Sequence, residues 1–219
     1  MDIARSAGKR RLVLSCYDPR MNTVPSLLFS LAAAFCLAAF AGDLRASGVS
    51  HVWIQDPWTG ASTLASVRAP DQSSWDVTQI EDYERALEQD YPPPIAVLTT
   101  NDLDIQVPVY NGTDDRVLDR GAGRLKGLGR PGEAGHLVIS AHRDSFFRSL
   151  EGVQAGDEVL VQSAGKVEKY RVQGTRIVPM DDVSVLKHTD EARLTLVTCY
   201  PFYYEGSAPD RFIVTAVPA

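Results

Sequence analysis

Cysteine is scarce in this chain and unevenly placed. Of three, Cys16 and Cys36 come before residue 43, and Cys199 stands alone after it. A disulfide framework in the C-terminal part is thereby excluded. Also missing are a fixed repeat, a sustained heptad, and any basic patch interleaved with aromatics. Solenoid, coiled-coil and nucleic-acid-binding architectures lose their support. The histidines, His51, His136, His142 and His188, lack the short spacing of a zinc set. Asp114 and Asp115 in "NGTDD" read as turn chemistry and lack the spacing of a calcium loop. No metal or other cofactor is called for.

What is present divides at residue 42. The stretch "VPSLLFSLAAAFCLAAFAG", residues 24–42, carries no charge over 19 positions. That length approaches the roughly 20 apolar residues of a membrane-spanning helix. Arg5, Lys9, Arg10, Arg11 and Arg20 precede it, and only Arg45 follows closely. The positive-inside rule then gives a cytoplasmic basic N-terminus over 1–23 and a signal-anchor over 24–42. The cytoplasmic membrane is thus an expected partner, crossed once, with the rest on its periplasmic or extracellular side. The alternative is a cleaved signal peptide, since "AFA" precedes Gly42. From residue 43 onward, 17 Lys and Arg face 26 Asp and Glu, a net of −9. That balance disfavours nucleic acid as a partner.

Residues 43–93 read as a linker and an N-terminal helix. Trp53, Trp58 and Trp75 are scattered among Gly, Ser and Pro over 43–77, placed either at a membrane interface or back on the domain. Ile80, Tyr83 and Leu87 recur at helical spacing within 78–90, Thr78 with Glu81 resembles a capping box, and "YPPP" ends the helix. Residues 94–219 hold short strand-like runs beginning at 95, 104, 136, 158, 167, 193 and 211, punctuated by "NGTDD", "GLGRPGEAG" and "SAGK". This pattern predicts an all-β barrel or sandwich. A closed barrel leaves no exposed edge.

Cys199 ends one of those runs. An odd thiol outside the cytoplasm is a reactive group, an intermolecular partner or a small buried side chain. As a nucleophile it needs a base or cation nearby, because its unperturbed pKa is about 8.5. His142 follows "HLVISA", where a strand leaves the core. Arg211 opens the last strand, twelve residues after Cys199. If strands 193–199 and 211–216 pair, Arg211 and Cys199 share one rim, where a fixed cation steadies charge on an attacked carbonyl. The plainer readings are a surface histidine at 142 and an ion pair of Arg211 with Asp210 or Glu205. His136 is expected to face a turn, and His188 to be a solvated loop residue.

Three stretches in order, "HLVISAHRDSFF", "TLVTC" and "APDRFIVTA", resemble the sortases, membrane-anchored cysteine transpeptidases, and class D most closely. The likeness covers about residues 80–218. It implies a closed eight-stranded β-barrel with short helices. It also implies Cys199 as nucleophile, His142 as proton-transfer partner and Arg211 as the residue that holds substrate and steadies the oxyanion. Thr198 is implied to help position substrate. Two positions depart from the family: His136 replaces a usual Asn, and Ala141 a usual Gly. The implied partners are secreted proteins ending in an LPxTG-like sorting signal and an amine acceptor. The turns at 127–135 and 174–188 and the loop after Cys199 are expected to shape the groove. The alternatives are another exported thiol enzyme, such as a cysteine peptidase or L,D-transpeptidase, and a non-catalytic anchored β-domain.

Overall fold

The computed structural model describes residues 49–204 and 206–219. The basic N-terminus, the expected anchor at 24–42 and Glu205 lie outside the described residues. Among the described residues no helix is long and apolar enough to cross a membrane.

The stretch read as a linker holds a hairpin, β1 (Val49–Gln55) and β2 (Ser62–Arg68), paired antiparallel with Trp53 opposite Leu64. Alternation decides its faces. Ile54, Ala65 and Val67 point inward onto Val97, while Trp53 and Leu64 point to solvent. At the turn, Asp56 accepts the Trp58 and Thr59 N–H groups, and Gly60 takes a positive φ of 76°. The three tryptophans part ways. Trp53 is exposed, Trp58 lies 4.3 Å under the Arg130 guanidinium, and Trp75 is buried.

Helix α1 (Val77–Glu88) starts one residue before the expected segment. Its N-cap is Asp76, whose carboxylate accepts the Gln79 N–H while the Gln79 side chain accepts the Asp76 N–H. This displaces the box expected at Thr78 and Glu81, because Asp is a stronger cap than Thr. The buried position is Ala86 rather than Leu87, which is exposed.

The eight remaining strands are β3 (Ala96–Thr100), β4 (Gln106–Asn111), β5 (Ala122–Arg124), β6 (His136–Ser140), β7 (Glu158–Ser163), β8 (Val167–Pro179), β9 (Arg193–Tyr200) and β10 (Asp210–Pro218). They close into a barrel in the order β10-β8-β7-β3-β4-β5-β6-β9, as the resemblance implied. A short helix, α2 (Asp115–Leu118), precedes β5. The three-residue β5 carries no periodic signal and was not anticipated. Gly123 suits it because a Cβ there would meet the Gly112 carbonyl oxygen at 2.1 Å.

Strands β6 and β9 run parallel, Ser140 opposite Val197. Their inward residues Leu137, Ile139, Leu194 and Leu196 are all buried. Each such side chain contributes about 1.5–3 kcal/mol. This apolar floor fixes two strand ends side by side, and both candidate reacting groups sit just beyond it.

Candidate active site

Carrying the β6–β9 register two residues past its last pair brings His142 level with Cys199. Hydrogen bonds hold that extension. The Ala141 N–H donates to the Val197 carbonyl at 3.3 Å, and the Thr198 hydroxyl donates to the Ala141 carbonyl at 2.8 Å. The His142 carbonyl accepts from the Phe147 N–H, which closes the following loop. Phe146 in that loop packs edge-on against Trp75 at 5.2 Å and Tyr83 at 5.9 Å. The N-terminal helix thereby braces the histidine loop.

On the other side of β9, Arg211 pairs directly with Cys199 in the antiparallel ladder to β10. Directly opposed residues project to the same face. Cys199, His142 and Arg211 line one cleft of about 340 Å³, together with Arg143, Met180 and Ala208. Arg211 Nη1 donates to the carbonyls of Ala208 and Asp210, at 3.1 and 2.9 Å, so the guanidinium is held by backbone. Of the two ion-pair partners considered, Glu205 is not described, and Asp210 meets Arg211 through its backbone carbonyl.

Thr198 does not join the cleft. It is 1% exposed and its hydroxyl is committed to Ala141. Its place is beneath the site, tying the two strand ends. The residue missed from sequence on the opposite side is Asp119, whose Oδ1 lies 3.6 Å from His142 Nε2. No motif links positions 119 and 142. Arg143 was also missed. Its buried guanidinium donates to the carbonyls of Tyr204 and Gly206, pinning the loop after Cys199.

The expectation for His136 is corrected. The ring is 1% exposed rather than facing a turn, with Nδ1 2.8 Å from the Lys187 carbonyl and Nε2 2.7 Å from the Thr195 hydroxyl. It therefore ties the loop before β9 to the barrel. Burial depresses its pKa below the ordinary imidazole value; the Lys187 bond opposes this and nearby Arg193 adds to it. His188 is exposed, as expected, 3.4 Å from Asp190. The groove expectations divide. Met180 and residues 206–208 line the cleft, whereas the 127–135 turn contributes none of its lining. Residues 174–179 belong to strand β8 rather than to a turn.

Residues 98–219 match the model of the sortase domain. The chain belongs to the sortase family. It is 39% identical over 121 residues to Sortase D of Bacillus subtilis (strain 168), covering 54% of this chain and 60% of that protein. It thus spans less than two thirds of that relative's length. Among solved structures, a Clostridium perfringens Sortase D5 transpeptidase superposes with TM-score 0.54 at 25% identity, over 64% of this chain and 88% of that one. The catalytic domain of B. anthracis SrtD gives TM-score 0.51 at 34% identity, over 60% and 91%. The sortase likeness thus falls on the barrel and its rim, where the cleft lies.

Proposed function

We propose that this sortase is a cysteine transpeptidase, anchored in the cytoplasmic membrane through residues 24–42, acting outside the cytoplasm on secreted proteins with an LPxTG-like sorting signal. The supporting observation is that a thiol, an imidazole and a guanidinium from three strand ends line one cleft.

The reaction has two halves. The Cys199 thiolate adds to the scissile carbonyl carbon, and Arg211 offsets the charge developing on oxygen. The carbon–nitrogen bond breaks, the departing amine takes a proton from His142, and a thioester remains. An acceptor amine then adds to the thioester carbon, gives a proton to His142, and expels the thiolate. The new amide bond replaces the old one, so no oxidant or cofactor is consumed.

The test is intact-mass analysis of the protein incubated with an LPxTG peptide, with and without an added amine. The expected result is a thioester adduct on Cys199 and an amide product only when amine is present. A Cys199→Ala protein that retains turnover would refute the mechanism. Cleaved peptide alone, with amine in excess, would indicate a hydrolase.

A further inference from the structure

His142 stands between two clefts. One, just described, holds Cys199. The other, of about 270 Å³, lies on the far side and is lined by Trp75, Leu118 and Asp119 among others. The imidazole lines both, and its Nε2 is the atom facing Asp119, at 3.6 Å from Oδ1. That distance is ion-pair range rather than a hydrogen bond, and such contacts tighten when substrate fills a site.

Asp119 is held as a fixed point. It follows α2, and its N–H donates to the Asp115 carbonyl at 2.8 Å. On one side Val117 is fully buried. On the other the Arg120 side chain is anchored to the carbonyls of Arg116 and Ala86 and stacks over Tyr91 at 4.4 Å. The backbone of His142 is equally fixed, through the bonds of Ala141 and Phe147. Two rigid segments thus present a carboxylate to an imidazole.

We propose that Asp119 is a positioning residue for the transpeptidation, its carboxylate holding the Nε2 edge of His142 so that Nδ1 serves the proton transfers at Cys199. The inference rests on His142 being the proton-transfer partner. When the ring is an imidazolium, Asp119 balances its charge. When it has released the proton, the carboxylate keeps hydrogen on Nε2 and the lone pair on Nδ1. Asp119 stays ionised throughout and transfers no proton. The other charged groups around the ring are Asp82 from α1, Asp115 from α2, Asp144 from the following loop, and Arg143 and Arg211 in the thiol cleft. Burial pushes the Asp119 carboxyl up, and the His142 imidazole opposes that rise.

The experiment is an NMR measurement of the His142 ring nitrogens in the Cys199→Ala background, comparing Asp119, Asp119→Asn and Asp119→Glu. In the Asn variant the neutral ring should lose the preference for the Nε2–H tautomer, and the Glu variant should restore it. With Cys199 present, Asp119→Asn should lower kcat about tenfold with KM unchanged. An unchanged tautomer ratio in Asp119→Asn overturns the proposal, as does a rise in KM alone. Should that variant fail to fold, His142→Asn gives the reciprocal reading, because coupling acts equally on both partners. The Asp119 carboxyl must then titrate at higher pH than in the parent, and an unmoved carboxyl overturns the pairing. These NMR measurements read the pair without turnover, so they stand or fall separately from the transpeptidase reading.

Discussion

Arg211 faces Cys199 directly across the β9–β10 ladder, and both side chains open into the same cleft. The ladder fixes the two backbones opposite each other, and the Ala208 and Asp210 carbonyls hold the guanidinium. On the proposed mechanism, replacing Arg211 with Ala removes the cation that offsets charge on the attacked carbonyl and should cost about 10²–10³-fold in kcat. Arg211→Lys should recover part of that, because a lysine keeps the charge and loses the forked donors. Steady-state kinetics on a labelled LPxTG peptide measure both. Equal rates for Arg211→Ala and the parent would remove the residue from the mechanism.

Thr198→Val keeps the shape of a buried side chain and deletes its hydroxyl. The Ala141 carbonyl then loses its 2.8 Å partner, at a cost of about 1–3 kcal/mol. Because that carbonyl belongs to the residue before His142, kcat should fall together with the urea midpoint. Thr198→Ser should restore both, whereas a residue acting only through substrate contact would raise KM at unchanged stability.

His136 makes stability depend on pH. Its folded pKa lies below the unfolded value of about 6.5, through burial first. Its contribution is therefore fully present above the unfolded value. It is lost as pH falls, because below about 6.5 the unfolded chain binds a proton that the folded chain resists. His136→Asn retains an amide able to donate to the Lys187 carbonyl in place of Nδ1, and it does not titrate. Urea midpoints at pH 7.5 and pH 5 should drop less in His136→Asn than in the parent. Equal drops in the two proteins would show that the imidazole takes no part.

Gly123→Ala should be severely destabilising, by about 3 kcal/mol or more, because the added carbon meets the Gly112 carbonyl oxygen at 2.1 Å and backbone cannot step aside. Gly165→Ala is the control. Nothing lies within 4 Å of that position, so the change should stay within about 0.5 kcal/mol. Equilibrium denaturation of the two variants decides this.

Seven of the eight barrel strands were legible because each is long enough for β-rich composition to show against Gly, Asp and Pro turns. The three-residue β5 is not, since a strand of that length is defined by its neighbours. The β1–β2 hairpin is not legible in the sequence, because Trp53 beside Ile54 and Leu64 beside Ala65 break the apolar–polar alternation that marks a half-buried strand. Cys199, His142 and Arg211 could be picked out as strand-end residues of reactive type. Asp119 could not, because carboxylates are abundant and its nearness to His142 exists only after β5 and β6 have paired. His136 was misplaced for a related reason. An imidazole beside a glycine reads as a turn until the barrel supplies Thr195 and Lys187 as partners.

The side-by-side course of β6 and β9 has a consequence for redesign. The His142 imidazole and the Cys199 sulfur inherit their separation from a shared run of amide bonds deep in the barrel. Met180 and residues 206–208, which shape the entrance, hang from other connections. Those connections can be shortened, lengthened or swapped to suit a new peptide without retuning the chemical pair. A single inserted residue inside either strand would instead turn one partner to the opposite face and take it out of the cleft.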